Sequence, residues 1–328
     1  MKILVVCSGN APGFDFKIHQ AFIYDQVEAV CRLEPSVTYE CFFVIGKGVR
    51  GYDKNLALLK EKIKEYSPNL VHAHGGHIGL LCSLQRLVPV VVTFHGSDIN
   101  LAANRLISAV ASVLSSAGIF VSRQLINKMP FKSKSSKVIP CGVDLDVFQR
   151  VDKALARREL GFSESDNYVL FSSAFENSVK NYPLAEKAMA GNGDVHLIEI
   201  RNRSRQEVNL LLNGAELLLL TSFSEGSPQI IKEAMACNCP IVATDVGDIR
   251  EVIGDTEGCY ITSFDPKDVA EKIKLALQFG QRTKGREKIK HLDNQIIAGK
   301  IVDVYKSILL KDNSAEELTA RTLRREES

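Results

Sequence analysis

The sequence has 328 residues, 45% of them hydrophobic and 24% charged, which indicates about two soluble globular domains and excludes a wholly disordered chain. Its net charge of +2 is uneven: residues 1–150 hold 17 basic against 11 acidic side chains, an excess that could face anionic lipid, nucleic acid, a phosphorylated substrate or only water. No apolar run approaches the roughly 20 residues of a membrane-spanning helix, and the apolar start at Met1–Cys7 is too short for a secretory signal, which predicts a cytoplasmic protein.

The first half of the chain alternates apolar runs with stretches of helical periodicity. The runs that suit buried strands are Ile3–Cys7, Tyr39–Ile45, Leu70–His72, Val88–Phe94 and Gly118–Ser122. The helical stretches between them are Phe16–Leu33, Asn55–Tyr66, Ile78–Arg86 and Ala102–Leu114. Continuous valine-, isoleucine- and leucine-rich strands separated by helices predict a parallel sheet covered on both faces.

The second half repeats the pattern after a linker near Pro140–Gly161. Its predicted strands are Tyr168–Ser172, Val195–Ile200, Glu216–Thr221, Ile241–Thr244 and Cys259–Thr262. Its predicted helices are Tyr182–Ala190, Arg205–Asn213, Gln229–Ala236, Pro266–Phe279 and Gln295–Leu310. The predicted fold class is therefore α/β, with doubly wound parallel-sheet domains at residues 1–150 and 151–310. We expect the last helix to pack back on the first domain and residues 311–328 to form a charged tail.

The most informative chemistry lies in the segment TSFSEGSPQIIKEAMA, which begins at Thr221. It leaves a strand, turns, and enters a helix whose first turn suits Pro228. The free N–H groups of residues 226 and 227, together with the helix dipole, favour an anion at this turn. Glu225 in the turn and Glu233 in the helix accept hydrogen bonds only, which suits hydroxyl-rich ligands.

These two glutamates and the run Pro240–Gly247 that follows them resemble glycosyltransferase family 4, whose members are retaining, metal-independent enzymes of the two-domain GT-B fold. Three further segments match in the same order: Phe94–Asp98 resembles the first-domain histidine loop, Val138–Phe148 the hinge motif, and Lys180-Asn181 the Lys-Gly of the diphosphate site. The resemblance covers about residues 1–310. It implies two Rossmann-like domains facing across a cleft, with the acceptor side in the first and the nucleotide-sugar site in the second.

The resemblance also implies roles for individual residues. Glu233 would bind ribose hydroxyls, and Glu225 the hydroxyls of the donor sugar. Lys180 would neutralise the leaving diphosphate, and His95 would touch the sugar near the reacting carbon. The implied catalytic residues are His95, Glu225 and Lys180, and the nucleotide-sugar site comprises Lys180, Glu225, Gly226, Ser227, Pro228, Gln229 and Glu233. Retention by front-face attack, with the leaving phosphate helping to take the acceptor proton, requires no side-chain nucleophile.

One departure from the family pattern concerns the diphosphate site. Most members place an arginine a few residues before the diphosphate lysine, and the stretch Phe171–Lys180 has none. Either the site has one cation fewer, or Arg201 or Arg203, just past the next strand, supplies it. We favour replacement by one of these two arginines.

Two further loops could be read in more than one way. His72, His74 and His77 could hold a metal, but no local carboxylate or cysteine completes a set, and we expect an acceptor-site or packing role instead. The loop from Gly9 to Gly13 could cradle a dinucleotide, but it lacks the G-x-G-x-x-G spacing, and we expect it to bind the acceptor. The residues expected on the acceptor side are Gly9, Gly13, His74, His77 and Asp98.

The predicted function is retaining, metal-independent transfer of a hexosyl or N-acetylhexosaminyl group from a UDP- or GDP-sugar to a hydroxyl acceptor, in cell-surface polysaccharide, lipid-linked glycan or glycolipid synthesis. No cofactor and no nucleic acid are expected. The lysine-rich stretch Lys128–Lys137 is either a solvated loop or a contact with anionic lipid at the inner face of the membrane. The alternatives are another GT-B-like sugar-nucleotide enzyme, such as an epimerase, and a catalytically silent sugar-binding protein.

Overall fold

The computed structural model describes residues 1–46, 48–190 and 195–326. They form two compact units, the first comprising Met1–Pro140 and the C-terminal helix from Ile297 onward, the second Cys141–Ile296. Each unit has its own parallel β-sheet and its own hydrophobic core. Within the described residues, no helix is both long enough and apolar enough to cross a membrane.

The first unit is built on a sheet whose strand order is β2-β1-β3-β4-β5-β6. Its strands are β1 (Lys2–Ser8), β2 (Thr38–Val44), β3 (Leu70–His74), β4 (Val90–Phe94), β5 (Ala117–Phe120) and β6 (Lys137–Val138). Its helices are α1 (Phe16–His19), α2 (Ala21–Leu33), α3 (Gly48–Tyr66), α4 (Gly76–Ser83), α5 (Ser97–Asn100), α6 (Ala102–Leu114) and α7 (Arg123–Lys128). Every residue of β3 and β4 is buried, as the continuous apolar runs predict for strands covered on both faces.

The second unit has a sheet of order β11-β10-β9-β7-β8. Its strands are β7 (Asn167–Phe171), β8 (Val195–Glu199), β9 (Leu217–Leu220), β10 (Ile241–Thr244) and β11 (Cys259–Thr262). The helices are α8 (Lys153–Leu160), α9 (Tyr182–Met189), α10 (Arg205–Gly214), α11 (Gln229–Ala236), α12 (Ile249–Ile253), α13 (Pro266–Phe279), α14 (Gly285–Lys288) and α15 (Asn294–Glu326). Short 3₁₀ turns lie at Ser178–Lys180 and Lys290–Leu292.

Several boundaries differ from the sequence prediction, and three of these differences affect how the chain is divided. The helix predicted over Phe16–Leu33 is two helices, because the backbone at Gln20 leaves the helical region at φ −131° and ψ 37°. The units divide after Pro140 rather than at residue 150, because Val143 and Phe148 are buried in the core of the second unit. The stretch predicted as a tail continues α15 to Glu326, and residues 327 and 328 lie outside the described part of the chain.

The C-terminal helix packs in the core of the first unit. Ile297, Ile301 and Tyr305 of α15 are buried there with residues of β1 and α2. Burial of these large side chains contributes on the order of 2 kcal/mol each. The first unit is therefore assembled from both ends of the chain.

Both sheets share one topology. Counted within each unit, the strand order runs 2-1-3-4-5, so the direction of winding changes between β1 and β3 in the first unit and between β7 and β9 in the second. Open parallel sheets bind ligands beyond the carboxyl ends of their strands at this change of direction. Functional side chains are therefore expected in the loops after β1 and β3 of the first unit and in those after β7 and β9 of the second.

Candidate active site

Lys180 and Glu225 meet beyond the carboxyl ends of β7 and β9. The Lys180 Nζ donates to Glu225 Oε1 over 2.7 Å, and the Ser222 hydroxyl donates to the same oxygen over 2.6 Å. The two charged side chains are only 19% and 13% exposed, so the ion pair is largely shielded from solvent. Two residues that the sequence assigned to the diphosphate and the donor sugar thus lie in direct contact.

The turn that presents Lys180 depends on a left-handed residue. Asn181 has φ 55° and ψ 50°, and the Thr221 hydroxyl donates to the carbonyl groups of Lys180 and Asn181 over 2.9 and 3.0 Å. Asparagine tolerates this conformation better than other non-glycine residues. This explains how asparagine can stand where the family pattern has glycine.

Glu233 is buried inside α11 and held by Arg205. Its side chain is 3% exposed, and Arg205 donates through Nη1 to Glu233 Oε1 over 2.7 Å. The guanidinium also lies 4.6 Å from the centroid of the Phe148 ring. Burial of a carboxylate is costly unless a cation pairs with it, and Arg205 supplies that cation.

Arg205 is a site residue that the sequence analysis missed. A capping box, in which Ser204 and Glu207 bond each other's backbone N–H, begins α10 and makes Arg205 its first residue. The box is visible in the sequence as S-x-x-E. This motif predicts where the helix begins. It does not predict the partner of Arg205, because Glu233 lies on a different helix, α11.

The two arginines proposed for the diphosphate site each pair with a glutamate. Arg201 pairs with Glu176 over 2.7 Å, and Arg203 pairs with Glu207 over 2.9 Å, with all four side chains well exposed. Among the ion pairs of the described residues, Glu225 is the partner of Lys180, and these two arginines pair with other glutamates. Arg201 is thus paired with a carboxylate of the loop that contains Lys180, and Arg203 with the capping glutamate of α10.

A second buried charge pair supports the start of α11. Lys232 is fully buried and donates to the Ser227 hydroxyl, which in turn donates to Asp248 Oδ2. The Lys232 Nζ lies 3.7 Å from the same Asp248 oxygen. The Ser227 hydroxyl is therefore engaged within the protein. Lys232 was missed in the sequence, although a lysine in the apolar stretch IIKEAMA is an anomaly that could have revealed it.

The turn between β9 and α11 is braced from both sides. Pro228 is the residue just before the helix, and the Gln229 side chain donates to the carbonyl of Gly142 over 2.7 Å. Gly247 has φ +63°, and a Cβ there would lie 2.8 Å from the carbonyl oxygen of Gly226. This close approach requires glycine and holds the turn against the loop after β10.

In the first unit, His95 is paired with His74. His74 ends β3 and His95 follows β4, and His74 Nδ1 lies 3.0 Å from His95 Nε2. Burial lowers the pKa of His95 to about 4, so its ring is neutral near pH 7. Asp98 accepts from the backbone N–H groups of Gly96 and His95 over 2.8 and 3.3 Å. Both carboxylate oxygens of this predicted acceptor-side residue thus hold the histidine loop.

The remaining acceptor-side predictions lie in the same unit. Gly9 packs against β2, where an added Cβ would be 2.9 Å from the Cβ of Phe43, and Gly13 has a left-handed φ of +58°. His77 is the second residue of α4. In the described part of the chain, no group of three or more histidine, cysteine, aspartate and glutamate side chains is arranged to hold a metal ion.

Two family models match the chain, one within the second unit and one over most of the first. Residues 168–278 match "Glycosyl transferases group 1", and residues 25–147 match "Glycosyltransferase Family 4". The chain belongs to glycosyltransferase family 4. The predicted family is thereby confirmed.

Among similar proteins, this glycosyltransferase is 26% identical over 250 residues to the putative teichuronic acid biosynthesis glycosyltransferase TuaC of Bacillus subtilis, a match that includes 66% of this chain and 64% of TuaC. Sucrose-phosphate synthase from Thermosynechococcus elongatus superposes with a TM-score of 0.81 at 16% identity, covering 94% of this chain and 99% of that one. Anabaena HepE in complex with UDP-glucose superposes with a TM-score of 0.67 at 16% identity, covering 96% and 100%. These likenesses and the two parallel sheets confirm the GT-B fold.

Proposed function

We propose that this glycosyltransferase moves a hexosyl or N-acetylhexosaminyl group from a UDP- or GDP-sugar to a hydroxyl acceptor, with retention of configuration and without a metal ion. The observation that carries the proposal is the shielded contact between Lys180 and Glu225 at the change of winding, in the same segment that presents Glu233. A cation and two carboxylates suit a ligand that combines a diphosphate with ribose and sugar hydroxyls.

The diphosphate would be stabilised by fixed charge of this chain. Lys180 supplies a cation, and the N–H groups at the start of α11 add the positive end of a helix dipole. Preorganised donors of this kind stabilise the charge that develops on a leaving group. They could therefore perform the task for which other enzymes bind a divalent cation.

Retention would follow from attack on the face that the diphosphate leaves. The bond from the anomeric carbon to the phosphate oxygen breaks, the acceptor oxygen bonds to that carbon, and the acceptor proton passes to the leaving phosphate. Glu225 would hold the sugar hydroxyls, and His95 would contact the sugar close to the reacting carbon. No side chain needs to act as nucleophile in this scheme.

The acceptor would be a saccharide or a lipid-linked glycan. The name of TuaC, which refers to teichuronic acid biosynthesis, supports a role in cell-surface polysaccharide synthesis. The UDP-glucose complex of HepE supports a UDP-sugar donor.

A peripheral membrane position at the cytoplasmic face would suit such an acceptor. Leu106, Val110 and Val113 are exposed along one face of α6, and Phe131 is exposed in the lysine-rich loop 128–137. The loop adjoins α6, because the backbone N–H of Ser133 donates to the Ser112 hydroxyl. Apolar side chains beside lysines favour anionic bilayers, where each lysine contributes roughly 1 kcal/mol. Sedimentation with vesicles should show binding to phosphatidylglycerol and none to pure phosphatidylcholine.

The central experiment compares thermal stabilisation by UDP, GDP and ADP in parallel. A nucleotide at 100 times its dissociation constant should raise the free energy of unfolding by roughly 2.7 kcal/mol. Incubation of the preferred UDP- or GDP-sugar with acceptor, followed by proton NMR of the product anomer, then tests transfer and retention together. Inverted product would contradict the retaining mechanism. Conversion of the sugar nucleotide without release of UDP or GDP would favour the epimerase alternative. Binding of the sugar nucleotide with neither transfer nor hydrolysis of the donor would favour a catalytically silent sugar-binding protein.

A further inference from the structure

Three histidines and a tyrosine form a connected array that begins within β3, at His72 and His74, and reaches His95 just after β4. His72 Nδ1 lies 2.6 Å from the Tyr305 hydroxyl, and His72 Nε2 lies 2.7 Å from the Thr93 hydroxyl. The rings of His72 and His74 are 4.3 Å apart, and the ring of His74 lies nearly parallel to that of His95 with a 14° interplanar angle. Both nitrogens of His72 are engaged, so His72 packs its tilted ring against His74 without competing for the hydrogen bond between His74 and His95.

The bond between His74 and His95 can form in two ways. Burial lowers the pKa of both imidazoles, so that each carries one proton near neutral pH. Either His74 Nδ1 donates to a bare His95 Nε2, or His95 Nε2 donates to a bare His74 Nδ1. The two arrangements leave opposite groups on the other nitrogens, since a neutral ring has one N–H and one lone pair.

The far nitrogen of His74 distinguishes the two arrangements. His74 is 4% exposed, and within the described residues its Nε2 has no hydrogen-bond partner. If His74 donates from Nδ1, this Nε2 is a buried lone pair. If His74 accepts at Nδ1, Nε2 is a buried N–H without an acceptor. Orphaned buried donors are rarer than under-satisfied buried acceptors, so the first arrangement is favoured.

We infer that His74 is a positioning residue, which donates from Nδ1 to His95 Nε2 and so holds His95 as the tautomer with its proton on Nδ1. Because His95 Nε2 accepts the hydrogen bond from His74, Nδ1 is the ring nitrogen with which His95 can contact a ligand. It then offers an N–H rather than a lone pair. This inference rests on the proposed function in one respect: a sugar diphosphate is rich in oxygen acceptors, which an N–H donor can recognise.

The backbone supports the same arrangement. Asp98 fixes the main chain at His95, and the Phe22 ring contacts His95 edge-on with its centroid 4.9 Å away. With its backbone and one ring nitrogen held, His95 has little freedom to reorient. What His74 determines is therefore the tautomer of His95, that is, which of its two ring nitrogens carries the proton.

Nitrogen-15 NMR of histidine-labelled full-length protein reads the tautomer without any substrate. In the wild type, the signal removed by His95→Gln should report a proton on Nδ1 and a bare Nε2. His74→Phe should abolish this preference, and His74→Asn should restore it, because the asparagine amide places an N–H near the position of Nδ1. His196→Asn, at an exposed site in the second unit, is the matched control. A wild-type His95 with its proton on Nε2, or an unchanged tautomer in His74→Phe, would overturn the inference.

Kinetics provide the second readout. His74→Phe should lower kcat/KM for the sugar-nucleotide donor about 10-fold, the order expected for one misdirected hydrogen bond, and His74→Asn should recover most of it. If His74 had only a structural role, His74→Phe and His74→Asn would each lose activity in proportion to their loss of stability. That result would contradict the inference. Absence of transferase activity in the wild type would refute the proposed function, while the NMR result would still decide the tautomer.

Discussion

Arg205 and Glu233, which lie on different helices 28 positions apart, share a hydrogen bond of 2.7 Å within the second unit. The arginine is additionally held over the Phe148 ring, so this cation is fixed before any ligand arrives. A ribose bound at Glu233 would meet a carboxylate that is already oriented by its hydrogen bond to Arg205. Preorganisation of this kind reduces the cost of binding.

Replacing Glu233 by glutamine should weaken the binding of free UDP or GDP by about 10- to 100-fold, because a hydrogen bond to a charged group contributes roughly 1.5–3 kcal/mol. Isothermal titration calorimetry measures the change. Glu159→Gln, at an exposed position on α8, is the matched control and should bind as the wild type does. Equal affinity in all three proteins would show that Glu233 does not bind the ribose.

Lys180→Met should lower kcat by roughly 100- to 1,000-fold, with a smaller effect on KM, because the lysine would act mainly on charge that develops in the transition state. The matched control is Lys187→Met, an exposed lysine of the neighbouring helix α9. Steady-state rates with donor and acceptor provide the test. A change in KM alone would place Lys180 in ground-state binding instead.

Chelation should leave the activity intact, since Lys180 and the start of α11 are proposed to carry the stabilisation of the diphosphate. Rates should be compared in EDTA, in EDTA with excess magnesium, and in EDTA with excess manganese. Loss of activity in EDTA that either metal restores would refute the metal-independent mechanism.

The sequence was sufficient to predict the helices and strands of the core and the candidate site residues that lie in recognisable motifs. The bounds of Ala102–Leu114 and Ile241–Thr244 were predicted to the residue, because long apolar periodicity and buried parallel strands leave clear patterns. The helices α5, α7, α12 and α14 were missed, since four to six residues are too few to show a helical period. Lys180, Glu225 and Glu233 were found because each lies in a recognisable local segment.

The partners of these residues were beyond sequence reasoning. Arg205 acts on Glu233 only because α10 and α11 pack side by side, and no local pattern records that contact. Arg201 and Arg203 remain the candidates for the second diphosphate cation, whereas the capping box makes Arg205 the first residue of α10, the helix from which it reaches Glu233. Similarly, the pairing of Lys232 with Asp248 depends on how α11 meets the loop after β10.

The stability of the first unit should fall as the pH decreases from 6.5. Burial lowers the pKa of His72 to about 3 and that of His95 to about 4, below the unfolded value of 6.5. Below pH 6.5 these histidines bind protons in the unfolded chain but not in the folded chain, which favours unfolding. Their contribution to the free energy of unfolding is therefore fully present above pH 6.5 and is lost as the pH falls toward the pKa values of the folded state. Each histidine should contribute a loss of about 1 kcal/mol between pH 6 and pH 5. Urea unfolding followed by circular dichroism measures this slope, and His95→Gln should reduce it by one histidine's share. An equal slope in His95→Gln would show that His95 is not a neutral buried group.

Lys232→Met should destabilise the second unit strongly, because it leaves Asp248 buried without its cation, whereas the double variant Lys232→Met/Asp248→Asn should recover much of the loss. Breaking a buried pair from one side costs about 3–5 kcal/mol, while removing both charges is often close to neutral. The difference between the double variant and the sum of the singles gives the coupling energy of the pair. Lys187→Met, at an exposed site, should stay within about 0.5 kcal/mol of the wild type in the same urea titration.

Because the Ser227 hydroxyl bonds both members of the pair, Lys232→Met should also weaken nucleotide binding by displacing the turn that presents Gly226 and Ser227. If Lys232→Met proves as stable as Lys187→Met, the buried lysine does not compensate Asp248, and the support that the pair gives to the start of α11 must come from packing alone.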